Sequence, residues 1–449
     1  MPKLLIIYPH WYPSNLAGVH RARLIGNFLN TLNWQVVVLS VTPEYYEEIP
    51  DPDIIKLFSP HFKEYRVEAF KLRKPRIIGD IGIRAFRQLY QKGIEIINNE
   101  KPDFLWIPIP SFYSALLGRL LNIKTGIPYG IDYIDPWVRD ISKDGSVRAR
   151  LSLRIAKFLE PIAVKNASLI TGVAYEYYKP VLDRNFSNNK KYLVVNTDIK
   201  ENREKKYQNE NLKKKIIYHT AFPYGFDPHD HSIDLPQLKM PWDGRPGVIP
   251  IVYAGAFMPN SQYFLEILFK AFAILKIENK IPNGVHLYFL GTGMYPHKRI
   301  TAYANENGIS EFVTEIRDRF PFLHILNILT KANRLLIIGS TEKHYTASKT
   351  FQIILSKRPF MGIFHYESTA VNILNKTCTD KFLVKYSPLE EKQYFLQKTI
   401  ENLDVFLKDK EDWKPNFTAL EPYSAKQSAE QLIKGIECVL TLNKNKIHL

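Results

Sequence analysis

The 449-residue sequence has little cysteine, no long hydrophobic run and fewer acidic than basic residues. Its two cysteines, Cys378 and Cys438, are far apart, so we expect neither a disulfide framework nor a structural zinc site. No stretch approaches the ~20 apolar residues that span a bilayer. The N-terminal apolar run is short and meets Pro9 and Pro13, unlike a signal peptide. We therefore expect a cytoplasmic protein that is soluble or peripheral to a membrane.

The shortage of acidic residues leaves 61 Lys and Arg against 45 Asp and Glu, a net charge of +16. This excess indicates an anionic partner, such as a phosphorylated substrate, an acidic membrane surface or nucleic acid. No basic and aromatic module of a nucleic-acid-binding protein accompanies the charge, so nucleic acid is not expected as a partner.

The basic residues are concentrated between positions 63 and 92, where apolar residues at helical spacing predict an amphipathic helix over residues 83–97. The cations of this segment are Lys63, Arg66, Lys71, Arg73, Lys74, Arg76, Arg84, Arg87 and Lys92. Such a face docks on anionic lipid in other proteins. A solvated helix of the first domain explains the same pattern equally well.

The chain does contain two successions of apolar strand, loop and amphipathic helix, which predict an α/β protein with two doubly wound domains. We expect an N-terminal Rossmann-like domain over residues 1–235, with a charged insertion at 188–215. A linker rich in Pro and Gly at 236–246 leads into a second Rossmann-like domain at 247–423, followed by a helix and tail at 424–449. The first loop lacks a GxGxxG fingerprint, so NAD or FAD is not expected.

Residues 337–365, IIGSTEKHYTASKTFQIILSKRPFMGIFH, predict a strand, a polar loop, a helix that begins near Lys349 and a second strand. Ligands of open α/β sheets bind at the carboxyl ends of strands, and helix N-termini favour phosphate. A cation in the first turn of a helix is disfavoured by the helix dipole unless an anion lies nearby. Lys349 therefore indicates a phosphate site; the alternative is a lysine whose stem lies along the surface.

Several acidic and histidine residues occur in patterns that suggest a ligand site. The strand at 128–135 ends in Asp132 and Asp135, which are placed either to contact a ligand or to cap the next helix. Asp51-Pro52-Asp53 is like the DxD of metal-dependent sugar transferases, but no strand precedes it and we predict a surface turn. A Pro-broken loop holds four further potential metal ligands: Asp227, His229, Asp230 and His231. Alternate residues of such a loop rarely converge on one ion, so no metal site is predicted.

Several segments, in their order and spacing, resemble GT-B glycosyltransferases, and family 4 of the retaining sugar transferases in particular, over nearly the whole chain. These segments are YPHWYPSNLAGVHRARLI, IDYIDPW, PYGFD, VYAGAF and YTASKTFQIILSKRPFMGIF. The resemblance implies two Rossmann-like domains that face each other across a cleft. It also implies that a sugar is transferred from a UDP- or GDP-sugar, with retention of configuration and without a metal or other cofactor. The implied acceptor is a glycan or a lipid-linked glycan of bacterial surface polysaccharide synthesis, at the inner face of the membrane.

The resemblance also implies roles for individual residues. The two ends of the family's Glu-x7-Glu pattern fall on His344 and Gln352, and Gln352 would bind the ribose while Lys349 binds the diphosphate. The expected donor-binding residues are Gly255, Gly291, Arg319, Tyr345, Thr346, Ser348, Lys349 and Gln352. The expected catalytic residues are Asp135, Lys349 and His344.

We expect the acceptor to meet the first loop. Gly18 would allow a ligand to approach the backbone closely. His20 and Arg21 lie beside it and are candidates to contact an anionic acceptor. For Arg21, an ordinary cation on the helix surface is the alternative.

Two other functions remain open. Loss of the usual acids at positions 344 and 352 is compatible with a GT-B scaffold that has lost catalysis and acts as a binding partner. A nucleotide-sugar epimerase is the second alternative, since one fold hosts several functions. Hydrolysis of a nucleotide sugar would exclude the first, and conversion of the donor without an acceptor would identify the second.

Overall fold

The computed structural model describes residues 1–72, 80–138, 147–187, 189–198, 214–293, 298–343, 349–411 and 413–447. Contacts divide the chain into two compact units: Met1–Asp227 with Tyr423–Leu449, and Pro228–Pro422. The first unit therefore ends at Asp227, before the expected boundary at residue 235. The C-terminal helix, expected as a separate segment, is part of the first unit.

The first unit is built on an eight-stranded parallel sheet with the strand order β3-β2-β1-β4-β5-β6-β8-β7. Its strands are β1 (Lys3–Ile7), β2 (Gln35–Val41), β3 (Lys63–Val67), β4 (Phe104–Ile109), β5 (Tyr129–Tyr133), β6 (Leu169–Gly172), β7 (Tyr192–Asn196) and β8 (Lys215–Ala221). The central strands are continuous apolar runs because both faces of the sheet are covered.

Helices cover both faces of this sheet. They are α1 (Ala17–Thr31), α2 (Ile81–Arg84), α3 (Phe86–Glu100), α4 (Ala115–Thr125), α5 (Val147–Val164) and α6 (Tyr175–Leu182), together with the C-terminal helix Ala425–Ile447. Helix α1 and the C-terminal helix bury Ile25 and Ile436 in one core. Helices α4 and α5 bury Leu117 and Ala163 in the core of the opposite face. The chain leaves β1 toward β2 and β3 and then crosses to β4, so its topological switch point lies between β1 and β4.

The second unit contains a six-stranded parallel sheet with the order β11-β10-β9-β12-β13-β14. Its strands are β9 (Ile249–Ala254), β10 (Val285–Leu290), β11 (Val313–Ile316), β12 (Arg334–Ile338), β13 (Phe360–His365) and β14 (Leu383–Tyr386). Its helices are α7 (Gln262–Ile277), α8 (Ile300–Glu306), α9 (Phe322–Lys331), α10 (Lys349–Leu355), α11 (Thr369–Lys376) and α12 (Lys392–Lys408). The switch point lies between β9 and β12, where ligands of such sheets bind.

The structure corrects two local predictions. Strand β7 falls within the expected charged insertion at 188–215 and pairs with β8, for example Tyr192 with Lys215. Lys and Asn residues flank this short strand, so the composition of the segment hid it; residues 199–213 lie outside the described part. Residues 51–53 were expected to form a surface turn, but Asp51 is buried. Its carboxylate accepts a hydrogen bond from the Asn15 side-chain amide at 3.1 Å.

The basic segment at 63–92 is not one amphipathic face. Lys63 pairs with Glu100 at 2.5 Å, and Arg66 pairs with Glu64 at 3.2 Å. Arg84 is buried and donates to the carbonyl oxygen of Phe70 at 3.0 Å. Arg73, Lys74 and Arg76 lie outside the described residues. Among the described residues, no helix is both long and apolar enough to cross a bilayer.

Candidate functional site

The carboxyl ends of β9 and β12, at the switch point of the second sheet, are tied together by hydrogen bonds. The Ser261 hydroxyl donates to the Gly339 carbonyl oxygen at 2.6 Å. The Thr341 amide donates to the Asn260 carbonyl oxygen at 3.1 Å. These bonds hold the two loops beside each other at the edge where Lys349 begins α10.

Lys349 lies over the end of β9. Its Nζ donates to the Ala256 carbonyl oxygen at 3.3 Å and lies 5.1 Å from the centre of the Tyr253 ring. The side chain is half-buried, and burial lowers the pKa of Lys349 to about 8. No carboxylate of the described residues pairs with it. An ammonium group that is partly removed from water without a counter-charge is suited to receive an anion.

Gly255 provides the space that Lys349 occupies. A Cβ at this position would lie 2.2 Å from the Lys349 Cε, and the Gly255 φ of +123° is one that residues with side chains rarely adopt. The expectation that Gly255 lies at the donor site fits its position at the end of β9. The structure adds that it acts there by seating the lysine.

Gln352 lies one turn further along α10. Its carbonyl oxygen accepts from the Ser356 amide at 3.1 Å and contacts the His231 Nε2 at 3.1 Å. The ring must therefore carry its proton on Nε2, and burial lowers the pKa of His231. The side-chain Oε1 of Gln352 is shielded from solvent and has no hydrogen-bond partner among the described residues. It is free to accept from a bound hydroxyl.

His231 is a residue of the site that sequence reasoning missed. It lies in the 3-10 helix Pro228–Ser232 and was considered only as a potential metal ligand. The structure shows a different task, since its ring joins this segment to α10. No pattern in the sequence signals a bond from a loop histidine to a helix carbonyl.

The remaining residues predicted for donor binding, together with the predicted catalytic residue His344, divide into two groups. Gly291 directly follows β10 and has a φ of +67°, and Arg319 follows β11 as an exposed residue. Both lie at the carboxyl edge of the sheet that also carries Gly255. His344, Tyr345, Thr346 and Ser348 lie outside the described residues.

Arg21 is not available to an acceptor, which corrects the prediction. Its side chain and that of Asp132 are fully buried, and its Nε donates to the Asp132 Oδ2 at 2.6 Å. Its Nη2 donates to the Asp132 Oδ1 at 3.0 Å, and its Nη1 donates to the Pro223 carbonyl oxygen at 2.6 Å. Thr171 also donates to Asp132, at 2.6 Å. This network joins α1 to β5, β6 and the segment after β8.

Gly18 does not leave room for a ligand either. A Cβ at Gly18 would lie 2.1 Å from the Tyr8 hydroxyl oxygen, so the glycine accommodates a buried tyrosine. His20 is buried in the same helix. Of the two carboxylates predicted at the end of β5, Asp132 belongs to the Arg21 network, and Asp135 is half-buried beyond the strand.

The carboxyl edge of the first sheet holds a hydrogen-bonded histidine–glutamate pair that the sequence did not indicate. The His10 Nδ1 lies 2.8 Å from the Glu48 Oε1, and Ser14 also hydrogen-bonds to this carboxylate. Burial raises the pKa of Glu48, but the hydrogen bonds from His10 and Ser14 outweigh it and lower the pKa to about 2. The pair was missed because its members follow two different strands, β1 and β2.

The fold is shared with solved structures of low sequence identity. HepE from Anabaena, solved with UDP-glucose, has a TM-score of 0.54 and 12% identity over 97% of this chain and 99% of that one. The N-terminal domain of trehalose-6-phosphate phosphatase from Candida albicans has a TM-score of 0.54 and 14% identity over 98% and 97%. A proposed UDP-N-acetylglucosamine 2-epimerase from Listeria monocytogenes has a TM-score of 0.51 and 11% identity over 96% and 94%.

These similarities confirm the predicted fold class. The chain has the GT-B fold, with two doubly wound parallel-sheet domains and a C-terminal helix. No protein-family model matches the sequence, and no curated protein matches it.

Proposed function

We propose that this protein is a glycosyltransferase that moves a sugar from a nucleotide-diphosphate sugar to a glycan or lipid-linked acceptor. The observation that carries the proposal is Lys349, an ammonium group without a described carboxylate partner at the switch point of the second sheet. The GT-B fold supports it, as does the UDP-glucose bound to HepE, which has the same fold.

The chemistry of sugar transfer matches this site. Negative charge develops on the departing diphosphate, and a cation aimed at it stabilises the transition state. Removing one such group typically costs on the order of 3 kcal/mol. In our proposal Lys349 binds the phosphates, and the free Oε1 of Gln352 accepts from a ribose hydroxyl. His231 keeps α10 in place for both contacts.

The finer details of the reaction belong to the same proposal. We assign Asp135 to the acceptor side and His344 to the donor sugar, while Tyr345, Thr346 and Ser348 complete the donor loop. Transfer proceeds with retention of configuration and without a metal, as in family 4. The product is a bacterial surface polysaccharide or its lipid-linked precursor, assembled at the cytoplasmic face of the membrane.

Calorimetric titration of the purified protein with UDP and with GDP tests the donor site. We expect one nucleotide to bind and its affinity to fall by about 100-fold in Lys349→Ala, which corresponds to ~3 kcal/mol. Lys376→Ala, an exposed lysine at the end of α11, is the matched control and should bind as the wild type does. Absence of binding by either nucleotide would overturn the donor site.

Measurements of turnover distinguish a transferase from the two alternatives, an epimerase and a scaffold without catalysis. The epimerase fold of the Listeria protein makes a nucleotide-sugar epimerase the second candidate. An epimerase converts UDP-N-acetylglucosamine in the absence of any acceptor, which NMR of the sugar detects. A scaffold without catalysis binds the nucleotide but neither hydrolyses nor transfers the sugar. A transferase releases UDP or GDP at a rate that rises when an acceptor is added.

A further inference from the structure

Helix α5 of the first unit leaves several of its large apolar side chains exposed to solvent. The exposed residues form one line along the helix, here called the α5 stripe: Val147, Leu151, Ile155 and Phe158. Leu151 is 56% exposed and Phe158 is 70% exposed. Residues three and four positions apart share a face of a helix, so the four side chains form a continuous surface.

The opposite side of α5 explains why the stripe points outward. Ala156 and Ala163 are buried in the core of the first unit. Glu160 is also buried, and Arg184 pairs with it at 2.8 Å. The helix is thus fixed to the domain by this face, together with Val164 and the partly buried Leu159, while the stripe faces water. A contiguous exposed apolar surface of this kind marks an interaction site.

The borders of the stripe are basic. Arg148, Arg150, Arg154 and Lys157 are all exposed, and none of them pairs with a carboxylate among the described residues. Residues 147–158, VRARLSLRIAKF, contain no acidic residue. A partner of this surface must therefore offer apolar groups and negative charge together.

Helix α4, which packs beside α5, also exposes apolar residues. The Arg119 Nη1 of α4 donates to the Ile162 carbonyl oxygen of α5 at 3.4 Å, and the side-chain amide of Asn166, just beyond α5, donates to the Asn122 Oδ1 at 3.2 Å. Leu120 and Ile123 of α4 are exposed as well. Apolar exposure is therefore a property of a helix pair on one face of the first sheet.

We propose that the α5 stripe and its bordering cations dock the protein on an anionic lipid surface. Apolar side chains enter the boundary between headgroups and acyl chains, while arginine and lysine bind the anionic headgroups. A nucleic acid would use the cations but would leave Leu151 and Phe158 in water. The proposal replaces residues 63–92 as the lipid-facing surface. It does not depend on the donor site, which lies in the other unit.

Co-sedimentation of the full chain with vesicles tests this surface. We expect binding to phosphatidylcholine vesicles that contain about 30% phosphatidylglycerol, and weak binding to phosphatidylcholine alone. The double variant Leu151→Glu/Phe158→Glu should lower the vesicle affinity about tenfold or more, and Arg150→Gln/Arg154→Gln about fivefold or more. Leu389→Glu, at an exposed leucine of the second unit, is the matched control and should bind normally.

Three results would overturn the proposal: no binding to anionic vesicles, equal binding to neutral vesicles, or equal binding by the stripe variants. Sedimentation velocity could give a fourth such result. If the wild type is a dimer and Phe158→Glu is a monomer, the stripe binds a second copy of this chain. Nucleotide titration of the same variants separates the two sites. Stripe variants that no longer bind vesicles but keep the wild-type nucleotide affinity have lost only the docking surface.

Discussion

At Lys349 the free protein keeps an ammonium group partly out of water, with a carbonyl oxygen and an aromatic ring as its described contacts. Burial acts against the charged form and lowers the pKa to about 8. A bound diphosphate would favour the charged form and raise this pKa again. The same residue therefore links nucleotide binding to the uptake of protons.

This linkage predicts that nucleotide affinity depends on pH. Above pH 8 the fraction of protonated Lys349 falls, so we expect the Kd to rise by up to about tenfold between pH 7 and pH 9. Calorimetry near pH 8 in buffers of different ionisation enthalpy should also show proton uptake. Lys349→Ala should bind weakly with a Kd that does not change over this range. An equal pH dependence in the variant would assign the titration to another group.

Gly255 gives a second prediction at this scale. In Gly255→Ala the new Cβ would collide with the Lys349 side chain, and the backbone conformation is strained as well. We expect a loss of ~1–3 kcal/mol of stability from the strain and a weaker nucleotide affinity from the displaced lysine. Gly244→Ala is the control for backbone strain alone, because Gly244 has a φ of +85° with open space around it. It should lose stability but bind the nucleotide normally. A Gly255 variant that loses stability but binds nucleotide normally would contradict the seating role.

At the scale of elements, hydrophobic periodicity was enough to predict most of the fold. The helix expected to begin near Lys349 and the strand that ends the segment 337–365 were placed as the structure has them, in α10 and β13. The contacts of Arg21 and Gly18 were not predictable, because each depends on a residue brought near only by folding. Arg21 of α1 pairs with Asp132 of β5, and Gly18 packs against the side chain of Tyr8. A local pattern therefore located the candidate donor site, while long-range packing gave two predicted acceptor residues structural roles.

The Arg21 network predicts how firmly α1 is held to the first sheet. Asp132→Asn leaves the Arg21 charge buried without its counter-charge, which typically costs ~3–5 kcal/mol. Replacing both residues, as in Arg21→Met/Asp132→Leu, removes the uncompensated charge and should cost less than either single change. Urea unfolding followed by circular dichroism measures these differences. Asp183→Asn breaks an exposed ion pair with Lys179 and should leave the midpoint unchanged.

On the scale of the whole molecule, the two units are distinct in both structure and proposed task. The second unit holds the candidate donor site at its switch point, and the first unit carries the α5 stripe and the His10–Glu48 pair. The basic residues are thus spread over several local sites, and some of them pair with carboxylates of the first unit, as Lys63 and Arg66 do. Net charge alone pointed to an anionic partner but could not say which surface meets it.

Histidines in both units predict how stability depends on pH. Burial lowers the pKa values of His219 and His231, and burial together with Arg245 lowers the pKa of His286 to about 4. A lowered pKa means that the unfolded chain binds more protons, so this stability is present above pH ~6.5 and is lost as the pH falls toward 4. Glu48, with a pKa of about 2, contributes stability that is lost only below pH ~4.5.

The histidine contribution is measured best as a difference between variants, since the raised pKa values of Asp80 and Glu160 act in the opposite direction. The free energy of unfolding of the wild type should fall between pH 7 and pH 5. In His286→Gln we expect this fall to be smaller by ~1–2 kcal/mol, after allowance for solvent screening. Glutamine can still bond to Thr314, which His286 contacts at 2.8 Å, so the packing is kept. His61→Gln, at an exposed histidine, is the control. Parallel pH profiles for the wild type and both variants would show that His286 does not link folding to protons.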